Sequence, residues 1–213
     1  MLVSDYLTKI RYRLFDPSPG AGWVDSELIE SLNEAIRATC MIKPDAYTLH
    51  ANITLAAGVP QTLPVDGIAL FDISQNAVSG RVVTQTTRSL LDGENRFWPA
   101  ATQEVDVQHF TIDERAPRIF YVTPPNSGAG SVRALYGALP TAVAAAGDTV
   151  PLADIYEAAL VSYAVSRALL KPSKRRDPAG SAAALNEWAT MVGAKTAAQA
   201  ALSPKMGDTR GPN

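Results

Sequence analysis

A chain of 213 residues, 46% hydrophobic and 19% charged with a formal charge of −2, can bury a core of its own, which excludes a generally disordered chain. The near balance of 19 basic against 21 acidic residues gives no whole-chain attraction to nucleic acid or to an anionic membrane. The single Cys40 excludes an internal disulfide, fits a reducing cytoplasm and reads as a small core residue.

Val3, Tyr6, Leu7, Ile10 and Leu14 recur at three- and four-residue spacing, which predicts a first helix with one apolar stripe, ending before Pro17. Charge from Asp5 onward, continued by Lys9, Arg11 and Arg13, breaks the apolar run that a signal peptide needs. No stretch reaches the roughly 18 apolar residues that span a bilayer, so the expectation is a soluble chain not exported by the usual route. Residues 17–22 form a Pro- and Gly-rich linker. A second helix starts near Trp23, with Asp25 or Ser26 as its cap and Glu27 in its first turn. Leu28, Leu32, Ile36 and Cys40 share its inner face, and Pro44 ends it.

At Tyr47 the period changes to two. Tyr47, Leu49, Ala51, Ile53 and Leu55 alternate with Thr48, His50, Asn52 and Thr54, the pattern of a strand with one wet face. Gly58-Val59-Pro60 reads as a turn, followed by strand candidates at 61–63, 68–74, 81–86, 105–112, 118–122 and 132–136. Asp66-Gly67, Ser79-Gly80 and Pro124-Pro125-Asn126 punctuate them, and residues 89–93 read as a helical turn. With no helices between the strands to make parallel crossovers, the expectation is an antiparallel sandwich or partly open barrel.

After a small-residue segment at 137–147, Pro151 suits a first helical turn and Pro172 stops the helix. Ala182, Leu185, Trp188, Ala189 and Val192 supply the stripe of a last helix from about Ala179, with an alanine-rich continuation to about Leu202. The fold class is therefore α+β, with residues 1–46 and 148–202 forming a helical bundle around an inserted β-rich domain, 47–147. Residues 203–213 read as a flexible tail.

Enzyme signatures are sparse. Two histidines and one cysteine do not make a structural zinc site, and neither a phosphate-binding loop nor a nucleophile elbow is present. Gly128-Ala129-Gly130 lacks the third glycine of a dinucleotide loop and precedes a strand, so it reads as a hairpin. Asp106, His109 and Asp113, near Glu104, are the candidates for acid–base or metal chemistry, although regular strand alternation would put Asp106 and His109 on opposite faces. A solvated polar face is the preferred reading for them, and for His50. Lys171, Lys174, Arg175 and Arg176 form a basic cluster between the last two helices. They either offset the negative end of the preceding helix or meet an acidic partner or DNA. Trp23, Phe97, Trp98 and Trp188 read as core, with Leu160 and Trp188 inside the bundle.

Several short motifs then recur in order. Trp23-Val24-Asp25-Ser26-Glu27-Leu28 leads to Leu32-Asn33-Glu34-Ala35, Lys43-Pro44-Asp45-Ala46 and Gly58-Val59-Pro60-Gln61-Thr62-Leu63-Pro64. Arg88-Ser89-Leu90-Leu91-Asp92, Trp98, Pro117-Arg118-Ile119-Phe120-Tyr121-Val122-Thr123-Pro124-Pro125, Tyr136 and Pro140 follow. Ile155-Tyr156-Glu157-Ala158-Ala159-Leu160-Val161-Ser162-Tyr163 and Arg167-Ala168-Leu169-Leu170-Lys171 complete the series. In this order the chain resembles bacteriophage head-to-tail adaptor proteins, the group that includes the tail tubular protein A of short-tailed phages. The alanine-rich end of the chain has no counterpart in the pattern.

The resemblance implies a structural virion protein of the head–tail neck, assembled in the host cytoplasm, with no catalytic, cofactor or metal residues and no membrane. It implies a homo-oligomeric ring, usually twelve-fold, that docks beneath the portal protein and offers an attachment surface to a tail or nozzle protein. Double-stranded DNA would pass through its lumen without sequence-specific binding. The expected partner contacts are Lys171, Lys174, Arg175, Arg176, Lys205 and Arg210, with the tail at 203–213 ordering on the portal. Two other functions fit parts of the sequence. One is a carbohydrate-recognising β-sandwich module using Phe97 with Trp98, and the other a tail-associated hydrolase using Asp106, His109 or Asp113.

Overall fold

A computed structural model of the chain describes residues 1–16, 22–113 and 115–202, with side chains as far as 193. In chain order it contains α1 (Val3–Arg13), α2 (Asp25–Ile42), β1 (Thr48–Thr54), β2 (Ala57–Thr62), β3 (Gly67–Asn76), β4 (Thr84–Gln85), α3 (Arg88–Glu94), β5 (His109–Ile112), β6 (Ile119–Ser127), β7 (Ser131–Ala138), α4 (Glu157–Leu169) and α5 (Pro178–Leu202). The fold is α+β, as the change of period at Tyr47 predicts. Two compact units result: Met1–Lys43 with the chain from Ala142 onward, and Pro44–Thr141.

In the helical unit α4 is central and packs against α1, α2 and α5. Its buried face alternates Leu160, Val161 and Val165 with Ala159, Ser162, Ala164, Ser166 and Ala168, and such small residues let neighbouring helices approach closely. Trp188 of α5 packs with Ala159 and Val192, meets Tyr163 edge-on at 5.0 Å between ring centres, and donates its indole N–H to the Thr39 hydroxyl at 3.2 Å. The extended segment before α4 is sewn into the same unit. The Asn33 amide donates to and accepts from the backbone of Val143, both at 2.9 Å, and the Val3 N–H donates to the Asp148 carbonyl. The helix expected from Pro151 begins later. A 3-10 turn at Asp154–Tyr156 precedes it, and the α-helical bonds start at Glu157.

The end of α1 determines where α2 and the α4–α5 loop can lie. Asp16 N–H bonds back to the Arg11 carbonyl and Phe15 N–H to the Tyr12 carbonyl, with Phe15 in the left-handed region at φ 52. That reversal points the Asp16 carboxylate inward, where it is 1% exposed. It accepts from Arg11 at 3.1 Å, Arg175 at 3.0 Å, Trp23 N–H at 3.2 Å and Gly22 N–H at 3.3 Å. Burial alone would raise the Asp16 pKa, but the Trp23 N–H, the Arg175 guanidinium and the Gly22 N–H together hold it below the ordinary carboxylate range. Arg11 also bonds the Trp23 carbonyl and the Asp25 carboxylate. Asp25 is therefore the first helical residue of α2 and not its cap. Val24 occupies the cap position, and Glu27 reaches back to the Val24 N–H at 3.3 Å.

In the β unit one sheet is antiparallel in the order β1-β7-β3, and the other, β2-β6-β5-β4, is mixed because β4 runs parallel to β5. Ile53, Leu70, Ile73, Phe110, Phe120, Val122, Val132 and Tyr136 form the core. Three readings of the sequence are corrected here. Gly58-Val59-Pro60 lies inside β2 at a bulge, where the Gln61 side-chain amide bonds Ala56 N–H, Ala56 C=O and Gly58 C=O. Pro124-Pro125-Asn126 lies inside β6, with a cis Thr123–Pro124 bond, and does not end it. The candidates at 81–86 and 105–112 shrink to Thr84–Gln85 and His109–Ile112. The buried amides of Asn76 and Asn126 instead hold Val107 and Val105, so side chains do there what a regular ladder does elsewhere.

Two outcomes follow from the helical unit. Trp188→Ala is expected to cost about 3–5 kcal/mol in denaturant unfolding of the free chain, because it leaves a cavity and an unmatched Thr39 hydroxyl. Asp16→Ala is expected to cost about 3–5 kcal/mol at neutral pH, since buried Arg11 keeps only the half-exposed Asp25 carboxylate and the Gly22 and Trp23 N–H groups lose their acceptor. The Asp16 pKa is lower in the folded chain, so its contribution is complete above the ordinary carboxylate range and disappears as pH falls through the folded value. The stability gap between wild type and Asp16→Asn should therefore shrink only under acid conditions, and a pH-independent gap would show that charge is not what holds the loop.

Candidate partner-contact surface

The loop between α4 and α5 starts where Pro172 ends helical propagation and closes where Asp177 accepts the Gly180 N–H at the start of α5. Its four basic residues divide into two kinds. Lys171 donates to Glu27 at 2.7 Å and to the Gly22 carbonyl at 3.3 Å, and this ammonium holds the Glu27 carboxyl below its ordinary range. Arg175 bonds Asp16 and lies over the Trp23 ring, 5.6 Å from its centre. Lys174 and Arg176 are exposed, and neither side chain has a partner among the described residues. The loop thus keeps two cations for itself and presents two to solvent. Lys205 and Arg210, with the tail at 203–213, lie outside the described residues.

The acid–base candidates of the β unit do not converge. Asp106 precedes β5 and sits 3.7 Å from Arg81, so strand alternation does not apply to it. His109 is the first residue of β5, with Nδ1 bonded to the Thr84 hydroxyl, and the Asp113 carboxylate accepts the Arg115 N–H. Among the described residues no group of three His, Cys, Asp or Glu side chains is arranged to hold a metal. Burial pushes the Cys40 thiol up to about 11, which keeps it protonated and unreactive.

The aromatic pair also separates. Phe97 is 78% exposed, whereas Trp98 is buried with Val59 and Leu91 and donates its indole N–H to Asp92 at 2.8 Å. The two therefore form no shared stacking platform. What sequence reading missed is the ground around Trp98. A slot of about 150 Å³ is lined by Val59, Pro60, Arg88, Trp98, Pro99 and Tyr121. Arg88 and Tyr121 also line a cleft of about 410 Å³ with Thr111, Ile112, Asp113 and Arg115. These residues come from five separate stretches of chain, and no local pattern joins them. On the helical unit, Tyr12 and Phe15 stand out at 84% and 90% exposed.

No helix among the described residues is long and apolar enough to cross a membrane. No curated protein matches the chain. The model of the SU10 adaptor protein family matches residues 1–212. That match takes in both ends of the helical unit and all of the β unit between them. The chain belongs to the SU10 adaptor protein family and so is a structural component of a phage virion.

Proposed function

We propose that this protein is a head-to-tail adaptor of the tail tubular protein A kind, whose copies form a ring beneath the portal, extend the DNA channel and present the docking surface for the tail. The observation that carries the reading is the family match over residues 1–212. Two features support it physically. The helical unit is closed by its own buried ion cluster, in which Lys174 and Arg176 take no part. The unpaired cations Lys174 and Arg176 sit on a loop whose geometry is fixed by Lys171 and Arg175, which gives them defined positions toward an acidic portal rim. Lys205 and Arg210 would add to that contact from the chain's end. DNA in the lumen would be passed without base readout, and no step of the function needs a catalytic residue.

Reconstitution tests the reading. Heads purified without this protein should bind several copies of it and then accept tails, and heads that take up one copy, or none, would refute the ring. The double variant Lys174→Glu with Arg176→Glu should keep wild-type stability but bind heads about tenfold more weakly at moderate salt. Equal affinity would move the portal contact elsewhere. Asp106→Ala and His109→Ala should leave assembly and infectivity unchanged, and loss of a measurable hydrolytic activity in a normally folded variant would overturn the non-enzymatic reading.

A further inference from the structure

We infer that neighbouring copies are joined by Phe15 of one chain inserted in the slot around Trp98 of the next, a contact that rests on the ring reading and names its interface. The first observation is backbone strain. Phe15 holds the left-handed position that closes α1, at φ 52, where glycine would sit without cost. The reversal serves its own chain by burying Asp16, but the Phe15 side chain gains no cover from it among the described residues, being 90% exposed beside an 84% exposed Tyr12. A large solvated aromatic held on a reversal that its own chain fixes is a presented group, where a small or polar residue would serve the turn at less cost.

The second observation is the receptor. The slot measures about 150 Å³, and an apolar cavity of roughly that volume holds one benzene ring. Its walls are stiff. Pro60 stands at the bulge of β2, Pro99 in the 3-10 turn at Trp98–Ala100, and Trp98 is pinned by its bond to Asp92. Little ordering is then needed on binding, and aromatic anchors in such preformed pockets carry much of an interface's energy. Arg88 at the rim can lie over the entering ring. The third observation is that anchor and slot belong to different surfaces of the chain, one on the helical unit and one on the β unit. Repeating such a contact from copy to copy is heterologous, which a closed ring requires and a two-fold dimer does not.

The test uses the full chain and heads that lack it. Copies bound per head are counted by mass spectrometry for wild type, Phe15→Gly and Pro99→Glu. Wild type should load as several copies, and each variant should need about tenfold more protein for half loading, the loss expected for an interface aromatic. Phe15→Gly relieves the left-handed strain, so its free chain should melt no more than about 3 °C below wild type and can melt above it. A fall in assembly with stability kept is a result that a merely structural Phe15 cannot give. Phe15→Cys and Pro99→Cys chains, mixed and oxidised on heads, should yield a cross-linked pair of this chain, with buried Cys40 unreacted. Wild-type loading by Phe15→Gly and Pro99→Glu would overturn the inference and leave the ring standing. Loading of single wild-type copies would overturn both. A cross-link from Phe15→Cys to a head protein would assign the anchor to that partner and overturn the contact between copies.

Discussion

The helical unit depends on one buried carboxylate. Asp16 lies where α1 reverses, and it is surrounded by Arg11, Arg175 and the N–H groups of Gly22 and Trp23. The donors come from three places: the last turns of α1, the approach to α2, and the α4–α5 loop. A carboxylate out of water is costly unless such donors converge on it, so the chain can bury Asp16 only when all three segments are in place. The cluster therefore acts as a condition on the fold as much as a source of stability. The surface pairs Lys9–Glu157, Arg167–Glu34 and Arg13–Glu187 link the same helices but are half-exposed, and pairs of that kind contribute little.

That condition shapes the surface offered to partners. Arg175 must face Asp16, and Lys171 must reach Glu27 and Gly22, so both are withdrawn from the basic patch that the sequence suggests. What remains is a loop held at two points with Lys174 and Arg176 projecting between and beyond them. The same reversal that buries Asp16 throws Phe15 outward. The internal constraint and the exposed aromatic are thus two consequences of a single helix ending.

The β unit reaches order by another route. Its second sheet is interrupted by prolines and bulges, and backbone groups that lose a ladder partner are taken up by the side-chain amides of Gln61, Asn76 and Asn126. Buried amides satisfy both a donor and an acceptor at once, which suits a segment such as 104–107 that meets β6 through a bridge at Glu104 and then runs on beside the sheet. The cost is a short β5 and a two-residue β4. The gain is an irregular surface where Trp98, Pro60, Pro99 and Arg88 can line a slot.

The sequence by itself determined the elements whose periodicity is strong: α1, α2, the alternating β1, the helix containing Leu160, and the last helix with Trp188 turned inward. Their apolar residues recur at the period of the element, and that signal is local. It also determined the class, since strands enclosed by helices at both ends of the chain leave few arrangements besides α+β. Tertiary structure alone decided the rest. Pro124-Pro125-Asn126 could enter β6 because the backbone of distant Glu104 pairs with Pro125 and Ser127, and Gly58-Val59-Pro60 could enter β2 because the Gln61 side chain, folded back at the bulge, took up backbone groups of Ala56 and Gly58. Glu27 and Asp25 took different roles at the start of α2 because Arg11, fourteen residues before Asp25, claimed the latter's carboxylate. Lys171 and Arg175 became internal for the same reason. Whether a charge faces water or a partner depends on what lies opposite it after folding, and no spacing along the chain records that.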